Sequence, residues 1–285
     1  MKRPLIAVMI VLMLASLACS INLNIPRIQT GATQTMTVSE AVPSGDGPTK
    51  LTLDMGSGTL NLAAGADKLV EGTIQYNVAD WKPTIEHPST SEVTINQSSA
   101  NSFEGIPTSN IINDWVLKLN STAPLDLMVN AGAYTGNLDL SKLHLRNLAI
   151  KDGASKTRVI FDSPNPEKMD AFTYSTGASQ VELRGLANAN FASMTFNSGA
   201  GDYTLDFSGT LAQDTSVDIK TGVSNMTIDV PLGMNAKIIS TGAIANITPD
   251  GTWTVNDSTY SVSGEGYNLT IHINMSVGNL KLVHR

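Results

Sequence analysis

The chain has 285 residues, a formal net charge of −7 and a single cysteine. The acidic balance argues against nucleic acid or an anionic lipid surface as an electrostatic partner, and one cysteine excludes an intramolecular disulfide. A chain of this length can bury a core large enough to fold without disulfides.

Residues 1–18 are predicted to be an export signal. Lys2 and Arg3 precede an apolar run that is shorter than the ~20 residues of a membrane-spanning helix. The run ends in Ser-Leu-Ala before Cys19, which resembles the lipobox of bacterial lipoproteins, with Ser16 where that motif usually has Leu. The resemblance implies diacylglycerol on the Cys19 thiol, and so an extracytoplasmic protein anchored to the bacterial cell membrane or envelope. An ordinary secretory signal is the alternative.

Residues 19–34 would then be the lipidated N-terminus and a flexible tether, because they are polar and show no period. From about Thr35 the sequence predicts β-structure, since no window repeats apolar residues at helical spacing. Residues 35–110 are interpreted as an N-terminal β module. Its short β-branched runs, bounded by Gly, Asn, Asp, Ser and Pro, are LTLDM, GTLNLAA, EGTIQYN and SEVTINQ.

A repeat dominates residues 111–285. A glycine followed by a small residue returns before one strand-like segment after another, at spacings of 21, 24, 22, 23 and 20 residues. Such a period is typical of a solenoid, in which each unit buries its apolar face by stacking on the next. The leading residues are Gly132, Gly153, Gly177, Gly199, Gly222, the weaker Gly242 and, in the last unit, Ser276.

Apolar and polar residues alternate after each leading glycine. The fourth and sixth positions are large and apolar, such as Tyr203 and Leu205, and the fifth is polar, such as Thr204. Because alternate side chains of a strand face opposite sides, one face is predicted to lie in a core and the other in water. The leading glycines, with Gly56 and Gly58 of the N-terminal module, are predicted to form tight corners where neighbouring backbones stack ~4.8 Å apart and φ can be positive. A phosphate-binding glycine loop is the alternative, but it requires a following helix.

These residues resemble two groups of bacterial β domains. The segment LTLDMGSGTLNLAAGADKLVEGTIQYN at 51–77 looks like the N-terminal toast-rack module, and residues 177–239 look like an adhesin-like β-repeat. The resemblance implies an all-β fold, a right-handed single-stranded β-solenoid or stacked β-sheets built from ~22-residue repeats. It also relates the chain to the C-terminal domains of cell-wall-antibiotic response proteins, and it brings no catalytic residues with it.

A column of charges offers the best enzymatic candidate. The seventh position after the leading glycine holds Asp139, Arg184, Asp206 and Asp229 in different units. Two carboxylates on adjacent coils could act as acid and base on a polysaccharide. The alternative is a solvated ladder in which Arg184 pairs with Asp206; the interruption by Ile160 and the lack of a histidine favour it. No catalytic residue is therefore predicted.

Metal and sugar sites find little support in the sequence. The four histidines have no second ligand at metal-binding spacing, so neither a metal site nor a cofactor is predicted. Trp81 and Trp253 lie near predicted strand ends or loops, where an aromatic ring could stack on a sugar. Packing in the core or over the solenoid ends is the alternative for both.

The sequence favours a non-enzymatic extracytoplasmic lipoprotein that serves as an adhesin-like binding or structural module of the cell envelope. Its expected partners are the membrane, through the lipid anchor, and an envelope protein or a polysaccharide, but not nucleic acid. Two alternatives stay open. One is a regulatory component of cell-envelope stress sensing, and the other is a carbohydrate-active β-helix enzyme that uses the charge column.

Overall fold

The computed structural model describes residues 29–45, 47–97 and 110–285. The predicted export signal, Cys19 and most of the predicted tether lie outside these residues. The described chain forms fifteen strands joined in one sheet. In chain order they are β1 (Gln34–Glu40), β2 (Thr49–Ala66), β3 (Val70–Tyr76), β4 (Pro83–Ser89), β5 (Glu92–Gln97), β6 (Asn113–Asn120), β7 (Leu125–Asp139), β8 (Leu145–Ile160), β9 (Met169–Arg184), β10 (Phe191–Asp206), β11 (Thr215–Val230), β12 (Met234–Asp250), β13 (Thr254–Asn256), β14 (Thr259–Val262) and β15 (Glu265–His284).

Eight long strands form the body of the sheet and run parallel in the order β2-β7-β8-β9-β10-β11-β15-β12. Equivalent positions of successive repeats lie side by side: Leu205 pairs with Leu183 on one side and with Ile228 on the other. The apolar residues therefore form continuous columns, which is how each coil buries its inner face against its neighbours. The predicted all-β, stacked fold is confirmed.

Each long strand is bent at its leading glycine. In β10 the buried side chains Phe196 and Tyr203 are an odd number of residues apart, with exposed Gly199 and Ala200 between them, so the alternation changes phase at that corner. The strand thus has two arms, one before and one after the glycine. Phe196 of the first arm packs edge-on against Tyr203 of the second arm, with ring centroids 5.2 Å apart. Both arms therefore face the same core.

The turns between coils close the remaining side of the core. Between β9 and β10, Gly185 and Asn190 have left-handed backbones and flank a short 3-10 helix, Leu186–Ala189, whose apolar side chains are buried. The amide of Asn188 donates to the carbonyl oxygen of Phe161 in the preceding turn at 2.9 Å. Such side-chain bonds satisfy the polar backbone of the turns and tie one turn to the next.

The last two coils do not follow chain order. Chain order would stack the Gly242 segment on the Gly222 segment, but β15 lies between β11 and β12. The inward residues of β15 are all large and buried, so this strand needs a neighbour on each side. The second arm of β12 is exposed, interrupted by two register shifts and carries Pro249, features that suit a strand at the end of the stack.

The sheet continues across the residue 110 boundary proposed from sequence. The N-terminal strands β1, β3 and β6 pair antiparallel, and β6 then pairs parallel with β2. On its other side β2 pairs with β7, the first strand of the glycine repeat, over both of its arms. The two proposed modules therefore share one sheet, in which β6 of the second module lies between β3 and β2 of the first.

Candidate functional site

A groove runs along the outside of the stack at the line where the long strands bend. It consists of two adjoining sections of about 580 and about 400 Å³ that share Lys151 and Asp152. We call it the bend groove. In both sections the wall is formed by the residues two positions before the leading glycine of successive strands, or before Ser276 in β15, and the floor by residues one position before. In the smaller section Asp54 and Asn130 hold the wall positions. The larger section gives the groove its remaining wall. The wall residues of the larger section are Lys151, Ser175, Asn197, Lys220 and Asn274, and its floor residues are Asp152, Thr176, Ser198 and Thr221.

The glycine column explains why the groove exists. A β-carbon on Gly199 would lie 2.6 Å from the carbonyl oxygen of Gly177, and one on Gly222 would lie 2.4 Å from that of Gly199. No side chain therefore fits along this line, and a furrow follows. Neither glycine has a positive φ, and the same holds for the other leading glycines from Gly132 to Gly222. Of the two expected reasons, a positive φ is wrong for these glycines, and the close stacking of neighbouring backbones agrees with the contacts.

The two glycines of the N-terminal module differ from these. The backbone N–H of Gly56 donates to the side-chain oxygen of Gln97 at 3.1 Å, and its carbonyl oxygen faces Gly132 of the next coil. Gly58 does have a positive φ, of 147°, and a β-carbon there would lie 2.0 Å from the carbonyl oxygen of Asn113. Gly56 therefore extends the glycine column into β2. Gly58 is constrained both by its positive φ and by the close backbone contact.

The five wall side chains of the larger section have no partners in the described part of the chain, whereas in the smaller section the Asn130 amide donates to the Asp54 carboxylate. No hydrogen bond or ion pair joins the side chains of these five residues to another described group: Lys151, Ser175, Asn197, Lys220 and Asn274. Outward asparagines elsewhere are instead used within the protein. Asn225 donates to Asp202 at 2.9 Å, and Asn279 donates to Asn225 at 2.8 Å. The groove thus presents polar groups that are free to bind, at the strand spacing of ~4.8 Å.

The floor of the groove is satisfied internally. One carboxylate oxygen of Asp152 accepts hydrogen bonds from Thr176 and, at 3.2 Å, from Ser179, while the other accepts from the Tyr174 hydroxyl at 2.9 Å. Burial above all, and then neighbouring charge that includes Asp152, raises the pKa of Tyr174 well above its ordinary value, so this hydroxyl remains a donor. The floor is a fixed polar network on which the free wall groups stand.

The charge column forms separate local contacts. Asp206 accepts from the backbone N–H of Ser208 at 2.8 Å and from its hydroxyl at 2.9 Å. Asp229 is paired with Arg285 at 2.7 Å. The expected Arg184–Asp206 pair is wrong, since the guanidinium of Arg184 lies 3.9 Å from Glu182 instead. The two carboxylates that could form an acid/base pair are thus each held by a different neighbour.

The two candidate sugar-stacking residues both have structural contacts. Trp81 is 8% exposed, in a short 3-10 helix at Ala79–Trp81. Trp253 is half-buried; its ring N–H donates to the carbonyl oxygen of Asp250 at 3.1 Å and its ring lies 5.7 Å from that of His284. Neither of them lines the bend groove.

The histidines are dispersed. His87, His144 and His272 each lie within 3.4 Å of one carboxylate, of Glu40, Glu167 and Asp218 respectively. Within residues 29–45, 47–97 and 110–285, no three His, Cys, Asp or Glu side chains are grouped closely enough to hold a metal ion. In the same part of the chain, no helix has the length and hydropathy needed to cross a membrane.

Sequence reasoning missed the wall of the bend groove, although a signal for it was present. The alternation of apolar and polar residues is strong in the strand after each glycine, and that pattern directs prediction to this part of the repeat. Two positions before the glycine, the successive repeats carry Lys151, Ser175, Asn197 and Lys220, all polar. In the sequence, this column looks like any other outward-facing polar column. Only the structure shows that its side chains lack hydrogen-bond partners.

The family model described as the N-terminal domain of toast_rack, DUF2154, matches residues 28–173 and again residues 165–229. The chain belongs to this toast-rack family. The two matches together span the N-terminal strands and the glycine repeat through β10, with nearly all of β11. They therefore include most of the bend groove. None of the curated proteins matches the chain.

Three solved structures are similar to this toast-rack chain. A proposed cell adhesion protein from Clostridium sporogenes has 23% identity and a TM-score of 0.48, over 89% of this chain and 99% of that one. A proposed lipid binding protein from Parabacteroides distasonis has 12% identity and a TM-score of 0.35, over 89% and 99%. A proposed adhesin from Parabacteroides merdae has 12% identity and a TM-score of 0.37, over 90% and 98%. The names given to all three concern binding and not catalysis, and at these values we transfer none of them to this chain.

Proposed function

We propose that this toast-rack protein is a non-enzymatic binding module, held outside the cytoplasm by a lipid on Cys19, and that the bend groove is its binding face. The observation that carries the proposal is the row of five wall side chains without partners among the described residues. In the column three positions after the leading glycine, by contrast, Asn225 donates to Asp202 and Asn279 donates to Asn225. Free groups in a groove with a fixed floor are what a binding site requires.

Rigidity of the groove supports the same proposal. Strands β8, β9, β10, β11 and β15 are each paired on both sides, so the wall side chains stand on a backbone that cannot readily shift. A ligand would not have to order the site before binding, and this reduces the conformational entropy lost on association. The groove is therefore preorganised over its whole length.

The contacts made by the charge column support a function without catalysis. A glycosidase uses two carboxyl groups that both face the scissile bond. Here Asp206 is held in a turn by Ser208, and Asp229 is paired with Arg285. Neither residue lines the bend groove. The free polar side chains and the candidate acid/base pair are thus in different places.

Co-sedimentation with isolated bacterial cell envelopes tests this proposal. The Cys19→Ala protein, which lacks the proposed lipid, is expected to sediment with the envelopes without releasing new reducing ends. Ser175→Trp in that background should lose most of the sedimentation, because the indole would fill the groove. Gln180→Trp, at an exposed position of the same strand outside the groove, serves as the matched control.

Equal sedimentation of both tryptophan variants would rule out the groove as the binding face. Release of reducing ends that is lost in Asp206→Ala would establish the enzyme instead.

A further inference from the structure

We infer that the bend groove binds an extended polysaccharide strand that lies along the axis of the stack. The inference rests on the proposed function and specifies its ligand. The wall passes over five neighbouring strands, which at ~4.8 Å each gives a length of about 19 Å. The step between wall residues is close to the length of one sugar ring in an extended chain. A linear polymer could therefore meet one wall residue per ring.

The residues on the two sides of the glycine column suit a sugar ring. The wall offers two ammonium groups, two amides and one hydroxyl, which can donate to ring oxygens and hydroxyls, and the amides and hydroxyl can also accept. On the other side of the glycine column lie exposed small apolar residues in register. They are Ala154, Ala178, Ala200, Val223 and Val277. A sugar presents hydroxyls at its edge and C–H groups on its face, so it matches a polar wall beside an apolar shelf.

The position of the groove argues against an extended peptide. Peptides in strand conformation bind by adding to a free sheet edge, where main-chain groups are unpaired. The bend groove instead crosses the middle of the sheet, and every strand beneath its wall already has two partners. A peptide lying across these strands would leave its own N–H and C=O groups largely without main-chain partners. A polysaccharide has no such requirement, because its polar groups are hydroxyls that side chains can reach.

The charges argue against a nucleic acid. Lys151 and Lys220 are the only cations that line the groove in the described chain, and two carboxylates, those of Asp54 and Asp152, line it as well. Nucleic-acid binding draws most of its affinity from several phosphate contacts made by cationic side chains. With two lysines, two aspartates and a protein of net charge −7, the affinity available from phosphate contacts is small. Hydrogen bonding would dominate, as it does for sugars.

Affinity electrophoresis tests the inference with defined polymers cast into native gels. The probes are neutral xylan, hydroxyethylcellulose and mixed-linkage glucan, and acidic polygalacturonate and alginate. The Cys19→Ala protein is expected to be retarded by at least one of them. The two classes of probe distinguish recognition of hydroxyls alone from recognition that also uses Lys151 and Lys220. The double change Asn197→Ala with Asn274→Ala should lower the affinity about tenfold or more, which corresponds to ~1.4 kcal/mol.

Two further variants locate the binding. Ser175→Trp should abolish the retardation, and Gln180→Trp should leave it unchanged, with both variants melting within a few degrees of the parent. Retardation that survives Ser175→Trp would overturn the inference. A parent that co-sediments with envelopes but is retarded by none of the five polymers would overturn it too, and would leave the proposed binding function standing. A parent that binds neither envelopes nor polymers would overturn both.

Discussion

Gly199 shows how one missing side chain shapes both the stack and the groove. A β-carbon there would lie 2.6 Å from the carbonyl oxygen of Gly177, a backbone atom that the neighbouring coil holds in place. Its neighbour Ala200 is exposed and sits in a column where the next coil carries Val223, which is 60% exposed. Added side-chain atoms would therefore clash at Gly199 but be tolerated at Ala200.

We predict that Gly199→Ala destabilises the protein by about 1–3 kcal/mol, because the coil must shift to relieve the contact. Ala200→Val is the control and should change the free energy of unfolding by less than about 0.5 kcal/mol. Urea denaturation monitored by circular dichroism measures both. A Gly199→Ala protein as stable as wild type would mean that neighbouring coils are not packed as closely as the structure has them.

At the scale of a single element, β10 shows how much local pattern can predict. Tyr203 and Leu205 are 2% and 0% exposed, and Thr204 between them faces outward, as the alternation predicts. The phase change at the glycine is also visible in the sequence, because the alternation restarts there. The pairing of the strand's two arms over one core, through Phe196 and Tyr203, is visible only in three dimensions.

Substitutions in β10 should follow this inner and outer division. Leu205→Ala should cost ~2–5 kcal/mol, since it removes a fully buried side chain from a close-packed column. Thr204→Val should stay within about 0.5 kcal/mol of wild type, because a β-branched residue on an outward position keeps the strand propensity. Thermal melts of the two variants check the assignment. Equal losses would show that the two faces have been exchanged.

At the scale of the whole molecule, the chain enters the stack at one end. β1 is the first strand in the order of the sheet, and the described residues before it lead back toward Cys19. A lipid on that cysteine would attach the chain through the segment that leads into β1, and the bend groove begins at β2. The proposed anchor and the proposed binding face are therefore compatible.

Wild-type protein produced in a bacterium is expected to partition into detergent and to incorporate a labelled fatty acid. Cys19→Ala should lose both properties, because stable membrane residence needs more than one acyl chain and the lipobox cysteine is the proposed attachment point. Ser20→Ala, one residue later, is the matched control and should behave as wild type. Detergent-phase partition of Cys19→Ala equal to that of wild type would exclude the lipid anchor.

The amino-acid sequence by itself determined the β class, the repeat, the inner and outer faces and the glycine positions. All of these depend on local periodicity, since a strand alternates every two residues and a stacked coil repeats its pattern. Only the tertiary structure decided that β15 lies between β11 and β12, because strand order depends on which surfaces bury best and not on chain order. It alone also distinguished Asn197 from Asn225, since both are outward asparagines and only their neighbours on adjacent coils make one free and the other bonded.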